Sequence, residues 1–212
     1  MVKAPARLGI LLSGRGSNFL ALHAAIARKE LPAEIVLVVS NNPEAPGLAR
    51  ARELGLPAIS LSHVGMGGRA AHERKVLAAL SDAGVEWVCL AGYMRLLSVG
   101  FVGRYPQRIV NIHPSLLPAF PGLDAQHQAW EYGVRFSGCT VHLVDAGLDS
   151  GPIVEQVAVP VLPSDGPNDL AARILAEEHR LYPRSLRRLV LEPWRVEGRR
   201  LVFGGEASKS VA

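Results

Sequence analysis

Short apolar runs alternate with longer stretches in which apolar residues recur every three or four positions. Leu8-Gly9-Ile10-Leu11-Leu12 is a continuous run of strand length, Ser13-Gly14-Arg15-Gly16-Ser17 breaks it, and helical spacing follows over 18–28. Residues 34–40 form a second such run, stopped by Asn41-Asn42-Pro43. A helix over 46–54 ends at Gly55, a third strand covers 58–61, a helix covers 69–83 and a fourth strand covers 87–91. Strands that are apolar along their whole length, separated by helices, predict a parallel sheet covered on both faces.

From residue 109 the pattern changes. A strand over 109–113 runs into Pro114, and a Pro-rich loop over 115–122 leads to a short helix over 126–132 ending at Gly133. Strands over 138–144 and 153–161 are joined by the turn-rich segment 145–152, too short for a crossover helix, so this pair is expected to be antiparallel. The longest helix spans 167–189, and 195–203 reads as a small hairpin before the polar, frayed-looking residues 204–212. The expectation is an α/β fold in one domain: a Rossmann-like parallel N-terminal half continuing into a mixed sheet with antiparallel strands. Its bounds are 1–190, with 191–212 as terminal hairpin and tail.

Composition narrows the function classes. With 212 residues, 49% of them hydrophobic and 20% charged, the chain can bury a sizeable core. The net charge of +4 invites a nucleic-acid reading. However, the segment from Arg180 onward holds eight basic and three acidic residues, which leaves residues 1–179 at −1. The basicity therefore belongs to the last helix and tail, not to a groove, and no nucleic-acid partner is expected. No run approaches the ~20 apolar residues that span a bilayer, and no apolar h-region opens the chain. A soluble, cytoplasmic protein without membrane contact is expected. Cys89 and Cys139 lie in strand-like apolar runs without metal-ligand spacing, which predicts buried reduced thiols and no metal site.

Three segments could carry chemistry. Ser13-Gly14-Arg15-Gly16-Ser17-Asn18 lies between a strand and a helix, where first-turn N–H groups can cradle a phosphate; the alternative is a tight turn with Ser17 or Asn18 as cap. Asn111 and His113 are two apart on a strand and share a face, so an amide donor and a proton-exchanging imidazole converge; the alternative is a strand-ending Asn beside a core histidine. Asp149 sits in the glycine-rich loop Asp145-Ala146-Gly147-Leu148-Asp149-Ser150-Gly151, able to reach that imidazole or simply to shape a turn.

Five blocks in one order carry a resemblance. They are Ser13–Asn18, Ala91-Gly92-Tyr93-Met94-Arg95-Leu96-Leu97, Asn111-Ile112-His113-Pro114-Ser115-Leu116-Leu117-Pro118, Gly138-Cys139-Thr140-Val141-His142 with Asp149-Ser150-Gly151-Pro152-Ile153, and Glu178-His179-Arg180-Leu181-Tyr182-Pro183. From about Arg7 to Leu189 the chain resembles the phosphoribosylglycinamide formyltransferase family, folate-dependent enzymes of purine synthesis. The resemblance implies Asn111, His113 and Asp149 as the catalytic trio. It implies Gly16, Ser17 and Asn18 on the phosphate of a ribosylglycinamide substrate and Glu178 at its amine end. It further implies a folate site formed by Arg69, Met94, Arg95, Leu96, Leu97 and Asn111 with the loop Asp145, Ala146, Gly147, Leu148 and Asp149. The donor would be 10-formyltetrahydrofolate, a cosubstrate, with no metal. Leu175 stands where relatives often carry a polar phosphate-facing residue, and Asp124 and Gln126 depart from the common His-containing loop.

With a primary amine as nucleophile, no activated Ser or Cys is required. Asn111 would hold the developing oxyanion together with a protonated His113, and Asp149 would stabilise the imidazolium, which predicts a His113 pKa above the ordinary ~6.5. Formylation of initiator methionyl-tRNA would need a further RNA-binding domain after Leu189, and formyl-folate hydrolysis a segment ahead of the glycine-rich loop; neither is expected. A non-catalytic phosphosugar-binding module is the rival from another class.

Overall fold

The computed structural model describes residues 4–65 and 67–204. Its first half alternates β1 (Ala6–Leu12), α1 (Ser17–Ala27), β2 (Ala33–Ser40), α2 (Pro46–Glu53), β3 (Ala58–Ser60), α3 (Arg69–Asp82) and β4 (Trp87–Leu90). The short α4 (Val99–Val102) follows, then β5 (Ile109–His113), α5 (Ala125–Tyr132), β6 (Phe136–Leu143), β7 (Ile153–Pro160) and α6 (Pro167–Leu191). The hairpin β8 (Trp194–Glu197) and β9 (Arg200–Phe203) closes the described chain. The expected frayed tail, from residue 205 on, lies outside the described residues, as do residues 1–3.

The nine strands among the described residues join one sheet in the order β3-β2-β1-β4-β5-β6-β7-β9-β8. Strands β3 to β5 of that order are parallel, β5–β6 and β6–β7 are antiparallel, and β9 meets β7 in parallel at Ile153↔Arg200. The expected mixed α/β architecture is therefore present, and the terminal hairpin extends the same sheet. The order reverses between β1 and β4, so the loops after these strands flank a crevice at their carboxyl ends, where α/β proteins place ligands.

Side-chain alternation explains the continuous apolar runs. Leu8, Ile10 and Leu12 of β1 enter one core with Phe19 and Leu22 of α1 and Ile174, Leu181 and Leu186 of α6. Leu11 enters a second core on the opposite face with Val76 and Leu80 of α3, Leu90 and Phe101. Gly9 admits α3 closely: a Cβ there would lie 2.6 Å from Leu80 Cδ2. α4 escapes pattern reading because four residues define no period; it is fixed by Ser98, whose hydroxyl accepts from the Phe101 N–H.

The basic residues near the C-terminus are largely engaged within the chain. Arg188 pairs with Glu155 and Glu192 and stacks 3.7 Å from the Phe203 ring centroid, Arg180 pairs with Glu177, and Arg195 pairs with Glu197. Both cysteines are buried and unpaired, and burial pushes each thiol up to about 12. Among the described residues, no helix is long and apolar enough to cross a membrane.

α6 is tied to the sheet at Tyr182, a fully buried phenol whose single hydroxyl hydrogen is shared between Leu90 O at 3.0 Å and Val110 O at 2.9 Å. These carbonyls lie at the end of β4 and just before Asn111. Tyr182→Phe leaves both without this donor and is expected to cost about 1–3 kcal/mol. That corresponds to a fall in thermal midpoint of roughly 2–12 °C for a chain of this size, measured by calorimetry.

Candidate active site

Gly16 ends the loop after β1 in the left-handed region (φ 72°) and serves as N-cap of α1 without any side-chain cap. A Cβ there would lie 2.9 Å from Gly47 Cα, and Gly47 N–H donates to Gly14 O at 3.0 Å, so the loop is pressed against the start of α2. The capping alternative for Ser17 and Asn18 is thereby removed. Asn18 is buried, and its Nδ2 donates to Glu178 Oε2 at 2.7 Å, while its Oδ1 is enclosed without a partner among the described residues. Burial pushes the Glu178 carboxyl up, and the Asn18 bond only partly opposes this. Gly16, Ser17, Asn18 and Glu178 thus meet where α1 lies against α6, the last two as a buried polar pair with one acceptor unspent. Leu175 precedes Glu178 by one helical turn.

The second cluster forms where β5 pairs with β6. Asn111 stands opposite His142 in the ladder, and its Nδ2 lies 3.2 Å from His142 Nε2 and 3.4 Å from Asp149 Oδ1. His142 Nδ1 faces the Leu143 carbonyl at 3.0 Å, and its Nε2 stands between Asn111 Nδ2 and Asp149 Oδ1, 3.6 Å from the latter. His113 Nε2 donates to the Phe120 carbonyl at 2.8 Å. Its Nδ1 therefore faces Asp149 Oδ2, 3.4 Å away, without a proton in the neutral ring. Asp149 itself adopts φ 47°, and its Oδ2 accepts from Gly122 N–H at 2.9 Å. The loop does both things the sequence allowed: it turns, and it delivers a carboxylate to two imidazoles.

One expectation is overturned. His113 is buried, and the loss of hydration lowers its pKa below the ordinary imidazole value. The Phe120 carbonyl and the Asp149 charge push upward but do not compensate, and His142 adds to the lowering. The resting imidazole is neutral near pH 7, not cationic. For Asp149 burial raises the pKa, but His142, the Gly122 N–H and His113 outweigh it, so the carboxyl lies below the usual range.

The third group borders these two. Ser13 Oγ accepts from Met94 N–H at 2.9 Å and donates to Asn41 Oδ1 at 2.5 Å, and Ser13 N–H donates to Gly92 O at 3.0 Å. These bonds fasten the glycine-rich loop after β1 to the segment after β4. Met94 (66% exposed) and Leu96 (59%) project into solvent, Arg95 is half-buried, and Leu97 enters the second core. Leu97 thus takes the ordinary core role with its side chain. Across the crevice, Ala146, Gly147 and Leu148 are exposed, whereas Asp145 turns inward: its Oδ1 accepts from Gly147 N–H at 3.0 Å and Ser150 Oγ at 2.7 Å. Arg69 begins α3 and pairs with Glu73 at 3.1 Å. Asp124 adopts φ 53° at the start of α5, and Gln126 lies in its first turn. Among the described residues, no group of three His, Cys, Asp or Glu side chains could hold a metal ion.

Sequence reasoning gave no role to His142, Gly122, Phe120 or Glu73, and took Ser13 only as the start of the glycine-rich segment. His142 carried a usable signal in closing the block Gly138–His142 of the resemblance, but its place opposite Asn111 depends on the β5–β6 pairing. The Gly122 N–H and Phe120 carbonyl are backbone groups, and residue type does not announce them.

Residues 6–186 match the protein family described as Formyl transferase. The chain belongs to that family. A family member from Escherichia coli, phosphoribosylglycinamide formyltransferase, is 39% identical over 190 residues, which cover 90% of this chain and 87% of that protein. The trifunctional purine biosynthetic protein adenosine-3 of Drosophila melanogaster is 46% identical over 186 residues, and there the chain spans only 14% of the relative's length. Among solved structures, glycinamide ribonucleotide transformylase 1 from Symbiobacterium toebii superposes with a TM-score of 0.92 at 46% identity, covering 94% of each chain.

A direct check of the electrostatics is the NMR titration of His113. Its midpoint is expected below ~6.5. In Asp149→Asn it should fall further, because the carboxylate favours the imidazolium and its removal takes that support away. A wild-type midpoint above ~6.5 would contradict the dominance of burial.

Proposed function

We propose that the chain transfers the formyl group of 10-formyltetrahydrofolate to the amine of N1-(5-phospho-D-ribosyl)glycinamide. The products are the N-formyl compound and tetrahydrofolate, in de novo purine (IMP) biosynthesis. The observation that carries this reading is that the uncapped α1 N-terminus, with its buried Asn18–Glu178 pair, follows β1 while the Asn111–His113–Asp149 cluster lies at the end of β5, both at the carboxyl ends of parallel strands of one sheet. In this reading the N-terminal half binds the phosphate and the C-terminal half binds folate and carries the chemistry. The two free, buried thiols suit a reducing, cytoplasmic setting.

The residues fit both substrates. The first-turn N–H groups of α1 at Ser17 and Asn18, preceded by Gly16, receive the phosphate, aided by the helix dipole. Glu178, whose Oε2 accepts from Asn18 Nδ2, takes a further N–H from the amine and so orients the amine end with its lone pair free. Exposed Met94, Leu96 and Leu148 offer apolar surface to a bicyclic ring, Arg95 flanks them, and the backbone of 145–149 supplies the polar edge. Arg69 presents a cation to the donor's carboxylate tail.

The donor supplies an activated formyl group; the rest is done by the chain. As the amine nitrogen bonds to the formyl carbon, charge grows on the formyl oxygen and on the nitrogen. Asn111 exchanges its long 3.4 Å bond to Asp149 for one to that oxygen, while His142 keeps the amide oriented. His113 Nδ1, bare and beside Asp149, takes the proton that the amine releases, and Asp149 stabilises the resulting imidazolium. The same proton then goes to the departing folate nitrogen as its bond to the formyl carbon breaks. Neutral at rest, His113 is a proton carrier and not a standing cation.

Turnover with both substrates, followed by the appearance of tetrahydrofolate and the N-formyl product, tests the reading. Binding of the phosphosugar without turnover would favour a binding module, and folate release without the amine would favour hydrolysis. Asn111→Ala should lower kcat about 10²-fold or more with little change in thermal midpoint, since one oxyanion donor is lost. Because the neutral imidazole is the active form, kcat at saturating substrates should fall on the acid side. Asp149→Asn should move that acid limb to lower pH while depressing the plateau; an unmoved limb excludes the pairing.

A further inference from the structure

Glu73 lies on α3 four residues after Arg69, and its side chain is only 10% exposed. A carboxylate so enclosed is costly unless donors surround it. Three do so here. Oε1 accepts from Arg69 Nε at 3.1 Å and from Ser98 N–H at 2.9 Å, and Oε2 accepts from the Ser98 hydroxyl. Burial pushes the Glu73 carboxyl up, but the Ser98 donors and Arg69 outweigh it, so the group is held ionised.

Packing of α3 does not account for this arrangement, since Val76 and Leu80 already anchor the helix in the second core. One consequence concerns the crevice. Glu73 engages Arg69 through Nε, and neither terminal nitrogen of Arg69 has a hydrogen-bond partner among the described residues. A guanidinium held by Nε has a fixed plane and two parallel donors free, the geometry that matches a carboxylate.

We propose that Glu73 is a positioning residue for the formyl donor, orienting Arg69 so that its two terminal nitrogens receive the carboxylate of the folate's glutamate tail. The inference rests on the formyl-folate reading given above. Glu73 touches neither substrate and acts through Arg69. Its loss is therefore felt only by a donor that carries the tail.

The test compares 10-formyltetrahydrofolate with 10-formyltetrahydropteroate, which lacks the glutamate. The wild type should show the lower KM for the tailed donor. Glu73→Ala should raise that KM about tenfold, the scale of one charge-assisted contact, with the pteroate KM and both kcat values within about twofold. Glu73→Gln keeps an oxygen acceptor for Arg69 Nε and Ser98 N–H and gives an N–H to the Ser98 hydroxyl, so it should recover most of the tail preference. Arg69→Ala should abolish the preference, and adding Glu73→Ala should take nothing further from it. If Glu73→Ala folds poorly, Glu73→Asp, which withdraws the carboxylate, serves the same comparison. An equal KM rise with both donors, or a further loss in the double variant, overturns the inference while leaving the formyl-transfer reading intact. A wild type that uses neither donor overturns both.

Discussion

Two buried imidazoles around one carboxylate set the terms on which this protein works. Asp149 is the hub: one oxygen takes the Gly122 N–H at 2.9 Å and faces His113, and the other faces Asn111 and His142. Water would satisfy such groups more cheaply. Enclosing them ties the protonation of each to its neighbours, because in a low dielectric each pairing carries more weight than it would at the surface. The backbone accepts a left-handed φ at Asp149 to deliver that carboxylate, strain of the kind that concentrates at functional sites.

The mixed sheet makes the hub geometrically possible. A wholly parallel sheet would follow β5 with a crossover helix and leave Asn111 without a facing strand of opposite direction. Here the antiparallel return of β6 places His142 directly across from Asn111, and the short β6–β7 connection swings Asp149 over the end of β5. The parallel half contributes the other requirement, two loops at a reversal of strand order, fastened to each other through Ser13. Tyr182 and its carbonyl partners hold α6, and with it Glu178, against the same strand ends.

Most of this fold could be read from the sequence because its strands are buried on both faces and bounded by Gly, Pro or Asn. Those signals depend on local chemistry alone, and the order of elements and the antiparallel β6–β7 pair followed from them. α4 did not, since a single capped turn has no periodicity. Asn111 and His113 were legible as a same-face pair, and Asp149 as a reachable carboxylate. The sign of the His113 shift was not legible. It depends on how completely residues distant in sequence exclude water, and residue spacing cannot express that quantity. Glu73 was hidden for a similar reason: an acidic residue four positions from an arginine reads as a solvated helix pair until Ser98, 25 residues later, folds over it.

Desolvation acts on the two ends of the crevice with opposite sign and a common result. It drives His113 towards its neutral form and Glu178 towards its protonated one, so both groups carry less charge at rest than their types suggest. Asp149 and Glu73 resist because donors surround them. On the formyl-transfer reading this division is functional. The ionised carboxylates are the fixed parts, braced before any substrate arrives. The two groups whose charged forms burial disfavours are those that meet the reacting amine, Glu178 by accepting its N–H and His113 by taking the proton it gives up. A permanently charged pair would instead bind each other and would have to be separated before either could respond. Burial therefore serves as the source of the site's responsiveness, and the surrounding hydrogen bonds decide which groups are exempt from it.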